Sequence, residues 1–158
     1  MRAKNGAGIA APQIGVSQRV FVVEGKGDNP RYPYKPVIPL TVFVNPTIEV
    51  LDATPMHLIE GCLSIPGFRG RVERASRVHV RAQRMDGTRF ELICAGHAAG
   101  TMQHEQDHLD ATLFPDHSGA AGLMTSLAFE HFYGGDDFLN AMAAINEEHP
   151  VPVVELVM

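Results

Sequence analysis

The 158 residues carry 13 Lys and Arg against 18 Asp and Glu, a formal net charge of −5, with 45% hydrophobic and 20% charged residues. That balance describes one globular domain able to bury a core, and it argues against a protein living on nucleic acid or anionic lipid. No apolar run approaches the roughly 20 residues of a membrane span, and the opening MRAKNGAG lacks the apolar stretch of a secretory signal.

Residues 5–15, NGAGIAAPQIG, are Gly-rich and read as a loop, and RVFVVE (19–24) has strand composition. GKGDNPRYPYKPVIP (25–39) is dense in Gly and Pro and reads as a surface excursion. TVFV (41–44) and TIEVLD (47–52) flank Asn45-Pro46, which predicts two short strands or one interrupted strand. Residues 77–82 alternate apolar with polar, Asp86-Gly87 offers a turn, and RFELICA (89–95) returns, a hairpin signal. From Gly96 to Leu109 the pattern is helical, with Pro115 marking the end. Helices are predicted over 119–132 and 136–148, separated by Gly134-Gly135, and the tail VPVVELVM suits a terminal strand. Strands first and helices later predicts an α+β fold.

QHEQDH (103–108) contains His104-Glu105-x-x-His108. On a helix, residues i and i+4 share a face, so His104 and His108 can converge on one metal ion. Glu105, next to the first ligand, can then serve as proton acceptor without binding the ion. The chemical need is plain: a bound metal lowers the pKa of water toward about 7, and a nearby carboxylate takes the proton. Asp107 and Asp110 read as solvated helix charges. A catalytic metal needs a third protein ligand, which a metalloprotease would supply downstream, here from His117, Glu130 or His131.

Upstream, EGCLSIPG (60–67) offers Cys62 between Gly61, which permits a tight backbone path, and a Leu-Ser-Ile-Pro exit. It reads as a loop presenting a side chain and backbone N–H groups, and its thiolate could complete a Cys-His-His site with one open position. Two cysteines cannot build a disulfide framework, so both are expected as reduced thiols, Cys94 as a buried apolar residue. In GAGIAAPQ (6–13) the small residues allow close approach of an extended peptide, and Gln13 supplies a carboxamide donor for a developing oxyanion.

GAGIAAPQ (6–13), EGCLS (60–64) and QHEQDH (103–108), in that order, resemble the three motifs of the peptide deformylase family, with Ile9 where the family commonly has Leu. VFVNP (42–46) and SIPGFRGRVERA (64–75) are similar too, so the resemblance spans about residues 5–116. It implies small antiparallel sheets packed around a central metal-binding helix. It implies metal ligation by Cys62, His104 and His108, a general acid/base at Glu105, and an oxyanion hole from Gln13 and the backbone N–H of Leu63. Ala7 and Gly8 fall where the motif pairs with the substrate backbone. Gly61, in the second motif, is counted with the substrate-binding residues, as are Leu58, Glu60, His97, Gly100 and Thr101, which align with positions around the pocket for a methionine side chain. One divalent ion per chain follows, Fe²⁺ in the cell, with Zn²⁺ or Ni²⁺ able to substitute; ligand chemistry alone would favour zinc.

The implied reaction removes the formyl group from the N-terminal formylmethionine of new polypeptides, near the ribosome. The implied setting is a monomer in the bacterial cytoplasm or an organelle, with no direct nucleic-acid or membrane partner. The alternatives are a metallo-endopeptidase and a catalytically impaired deformylase-like binder. Departures are local. Gly100 stands where a larger residue is common and is expected to widen the pocket, and Ala111 replaces a common Gly. The chain is expected to form one domain over 1–158, divergent over 117–158. Five residues precede Gly6 where the family has a longer leader with a helix, so a chain begun inside that helix, and less stable than a longer relative, is expected.

Overall fold

The computed structural model describes residues 1–150 and 153–156. After a 3-10 turn at Arg2–Lys4 the chain forms β1 (Gly8–Ala10), a 3-10 turn (Ala11–Ile14), β2 (Val20–Gly25), β3 (Ile38–Cys62), β4 (Ile65–Gln83) and β5 (Arg89–Ala95). Then follow α1 (Gly96–Leu109), α2 (Phe114–Gly122), β6 (Leu123–Thr125), α3 (Ser126–Tyr133), α4 (Asp136–Glu148) and β7 (Val153–Leu156). The strands join antiparallel in the order β1-β2-β3-β4-β5-β7, with β6 against β4. The α+β fold is the one expected.

The two longest strands organise the sheet. β3 pairs with β2 over its first residues and with β4 thereafter, its register shifting between Val44 and Thr47. Asn45, at φ 48°, makes that break, since Asn tolerates the left-handed region better than most residues. The interrupted-strand expectation for TVFV–NP–TIEVLD therefore holds. β4 alternates strictly from Val72 to Ala82, even-numbered residues inward, as a half-buried strand should. Phe21 stacks on Phe43 at 4.7 Å, and Phe43 meets Phe90 at 5.4 Å, all three buried. Val78, Val80, Cys94, Ala98, Ala99 and Met102 complete a core between sheet and helix.

β5 runs directly into α1 through Gly96 at φ 56°, a backbone turn that Gly makes without a Cβ penalty. The helix's first two turns, Gly96–Met102, are buried throughout, so α1 is a central element rather than a surface one.

Four local expectations need correction. The loop at 5–15 contains the edge strand β1, and EGCLS is strand end and turn rather than free loop, since β3 reaches Cys62 and pairs it with Ile65. Pro115 lies in the first turn of α2, where a missing N–H costs nothing, and does not close α1, which stops at Leu109. The helix expected over 119–132 is broken by Gly119 (φ 58°, ψ 179°) and by β6, which pairs Leu123–Thr125 with Phe68–Gly70. The expected terminal strand is present as β7 against β5; residues 151, 152, 157 and 158 lie outside the described residues.

Candidate metal centre

Cys62 is delivered by the end of β3 and His104 and His108 by adjacent turns of α1. One donor atom from each lies within 4.8 Å of the others. Cys62 Sγ is 3.2 Å from His108 Nε2. His104 Nδ1 is 2.7 Å from Glu60 Oε2, which orients the ring and leaves Nε2 to face the sulfur and the second imidazole. Burial works against the Cys62 thiolate, but the donors His104 and His108 outweigh it and bring its pKa to about 5. Burial likewise opposes a charged His104, yet Cys62 and Glu60 hold it up at about 10. Metal ligation needs the thiolate and neutral imidazoles, so loading would displace a proton from this pair.

Glu60 is itself fixed. Arg74, 5% exposed, donates to both carboxylate oxygens, from Nε at 2.8 Å and Nη2 at 3.0 Å. Arg74 also lies 2.7 Å from Asp107, which accepts in turn from His117 Nε2 at 2.9 Å. Burial opposes ionisation of both Glu60 and Arg74, but hydrogen bonding between them and to their other partners outweighs it, keeping Glu60 well below the carboxylate range and Arg74 protonated. Asp107 is thus a buttress of the centre and not a solvated charge, whereas Asp110 does pair at the surface with Arg19. His117 belongs to this outer network, and Cys62, His104 and His108 are the one metal-capable cluster among the described residues, so the ligand expected from EGCLS converges and the downstream candidates do not.

The general-base candidate Glu105 is 3% exposed, and burial pushes its carboxyl up to about 7. Its Oε2 is buried without a hydrogen-bond partner among the described residues. Gly8 packs on it so closely that a Cβ at position 8 would fall 2.2 Å from Oε1. Gln13 is oriented by its own backbone neighbourhood: Oε1 accepts from Ala10 N–H at 2.8 Å. The amide NH₂ is thereby turned toward Ser64 Oγ at 2.9 Å and Cys62 Sγ at 3.5 Å. A thiolate, two imidazoles and a partnerless buried carboxylate oxygen beside them fit a divalent transition metal and the water it would carry.

The remaining expected residues line the same cleft: Ala7, just before β1, and Gly8 in it; Leu58, Glu60, Gly61 and Leu63 from β3 and its turn; His97, Gly100 and Thr101 from α1. His97 is buried and structural as well, its Nε2 donating to Met142 O at 2.8 Å. The space that Gly100 leaves is taken up by Leu58, whose Cδ1 would stand 2.5 Å from a Cβ there, so the expected widening is largely filled. Sequence reading missed Arg74 and the contribution of the 25–39 excursion, from which Arg31, Tyr32, Tyr34 and Lys35 reach the cleft. The available signals were an Arg at an inward-facing position of β4 and the basic-aromatic interleaving of RYPYK.

Comparison with known proteins agrees with this geometry. A family model for polypeptide deformylase matches residues 1–122. The chain is 50% identical over 116 residues to peptide deformylase 1 of Prochlorococcus marinus, covering 73% of this chain and 60% of that one. It is 36% identical to peptide deformylase 1 of Streptomyces coelicolor over 96% of this chain and 72% of the relative. Among solved structures, a Met-Ala-Ser-bound class I type b peptide deformylase from Acinetobacter baumannii superposes with a TM-score of 0.71 at 43% identity, over 74% of this chain and 73% of that one. A peptide deformylase from Synechococcus elongatus in complex with actinonin gives 0.66 at 29% identity, over 94% of this chain and 65% of that one. The chain spans 60–65% of the length of the first five curated relatives it matches. By the matched model and the identity to these relatives, the chain belongs to the polypeptide deformylase family.

Proposed function

We propose that this chain removes the formyl group from the N-terminal formylmethionine of newly made polypeptides and releases formate. The observation that carries the reading is the convergence of Cys62, His104 and His108 within 4.8 Å beside the buried Glu105 carboxylate, whose Oε2 has no hydrogen-bond partner among the described residues. Cys62 Sγ, His104 Nε2 and His108 Nε2 would hold the metal, which we assign as Fe²⁺ in the cell, replaceable by Zn²⁺ or Ni²⁺. When bound it supplies a Lewis acid and an acidified water. Glu105 accepts the proton of the attacking water and returns it to the amine that leaves as the formyl C–N bond breaks. The Gln13 amide, its orientation set by Ala10, and the Leu63 N–H donate to the oxygen that gains charge.

β1 is an edge strand bonded to β2 on one side, so its other side is available to an extended peptide added as a further strand. Gly8 keeps that strand close to Glu105. The substrate's first side chain then enters the chamber walled by Leu58, His97, Gly100 and Thr101. We place the chain's work in the bacterial cytoplasm or an organelle, as a monomer acting on nascent peptides near the ribosome. Formate release from a formyl-Met peptide, assayed anaerobically with Glu105→Ala as control, tests the assignment. Release well above the control is expected; release at the control's level would defeat it.

A further inference from the structure

The first-side-chain chamber contains a cation that its apolar role does not require. Lys35, from the segment between β2 and β3, lines the cleft and donates from Nζ to Thr101 Oγ1 at 2.9 Å. Thr101 in turn donates to His97 O at 2.9 Å, so its hydroxyl proton is already committed and its oxygen serves Lys35 as acceptor. The ammonium also lies 4.7 Å from the Tyr32 ring centroid. No carboxylate comes within ion-pair distance of it among the described residues. Of the two acids lining the cleft, Glu60 is saturated by Arg74 and His104, and Lys35 acts on the other, Glu105, through space without an ion pair.

The lysine is held there and has not merely strayed in. Tyr34, its neighbour, packs against the tilted His97 ring at 4.8 Å, and Tyr34 O accepts from Asn146 Nδ2 of α4 at 2.6 Å. The chain immediately before Lys35 is thus fastened to α1 and α4. An ammonium has three donors. One is used by Thr101 and one faces the Tyr32 ring, which leaves donor capacity at the wall of the chamber.

We propose that Lys35 determines specificity for the first side chain, and that the chamber favours one ending in a hydrogen-bond acceptor over an apolar one of the same shape. This rests on the deformylase reading above. The thioether of methionine is a weak acceptor and its sulfoxide oxygen a strong one, whereas norleucine presents only a methyl end. A partly buried ammonium facing that methyl loses hydration and gains nothing, and polar sites reject analogues lacking the matching group for this reason.

The test uses three peptides, identical except for a first residue of formyl-Met, formyl-Met sulfoxide or formyl-norleucine. On the wild-type enzyme kcat/KM should fall from sulfoxide to Met to norleucine, by about tenfold or more between the ends. Lys35→Met should reverse or level that order, and Lys35→Arg, which keeps the charge, should retain it. Calorimetric affinities of the three deformylated product peptides should follow the same order. The assignment is overturned if Lys35→Met leaves the ratios unchanged, or if norleucine leads on the wild type. Absence of formate from all three peptides would defeat the deformylase reading, and the order of product affinities then decides the Lys35 assignment alone.

Discussion

Gly8 offers the sharpest single-residue test of the site. Its substitution by Ala adds one methyl group, which would stand 2.2 Å from Glu105 Oε1, 2.5 Å from Cδ and 2.8 Å from Cγ. Ordinary contact begins near 3.4 Å, so the carboxylate must retreat by roughly 1 Å or β1 must shift by as much. Glu105 is 3% exposed and anchored in the buried part of α1, so retreat into solvent is not open to it. Misplacing a reacting group by that distance costs on the order of 10²-fold in rate, while one surplus methyl in a packed site costs about 1–3 kcal/mol of stability. Formate-release kinetics and thermal melting should therefore separate: kcat falls by about 10²-fold while the midpoint falls by roughly 3–10 °C. A cycle with Glu105→Ala sharpens the reading, because Gly8→Ala should cost almost no further activity once the carboxylate is gone. Activity of Gly8→Ala within about threefold of wild type, a difference of under 1 kcal/mol, would refute the assignment of Glu105 as the group that Gly8 protects.

Three further outcomes are expected. Arg74→Ala strips Glu60 of both guanidinium bonds and Asp107 of its ion pair in a nearly sealed environment, so unfolding free energy should drop by about 3–5 kcal/mol in denaturant titration; a loss under about 1 kcal/mol would contradict the buttress. Ala111, at φ 56°, occupies a left-handed conformation that only Gly adopts freely; Ala111→Gly should raise stability by about 0.5–1 kcal/mol, and a lower melting point would refute that strain. His97 is buried and held neutral, its pKa lowered from 6.5 to about 4, first by burial and then by Lys35. The unfolded chain binds this proton below pH 6.5 and the folded chain does not, so stability is full above that pH and is lost as pH falls from 6.5 toward 4. His97→Asn should flatten the slope over that window by about one proton, and an unchanged slope would place the titration elsewhere.

The metal cluster was legible because its information is local. Two histidines at i and i+4 need only a helix, and EGCLS needs only a turn after a strand, which β3 and β4 provide. Arg74 was not, because a charged residue reads as exposed unless its partners are known, and those come from β3 and α1. The alternation that buries it was visible only over residues 77–82, whereas the inward series begins at Gly70. Composition identified 25–39 as irregular but could not say where it lies, since its position is fixed by Tyr34 meeting His97 and Asn146. The 119–132 error has the same origin. Helical periodicity is a short-range signal, and β6 exists because Leu123–Thr125 found a distant partner in Phe68–Gly70.

Only Leu63 and Ser64 separate β3 from β4, so Cys62 stands at the closed end of a hairpin whose two arms are neighbours in the chain. Closing a loop that short costs little chain entropy, whereas bringing α1 onto the sheet closes a long one. The thiolate, the Leu63 amide and the Glu60 carboxylate are thus assembled by a local event, and the imidazoles arrive by a non-local one. An ion bound across the two halves would act as a clasp between local and non-local pieces of the fold, its free energy of binding added to the least local contacts in the molecule. Removal of such an ion would then loosen the docking of α1 before it loosened the hairpin.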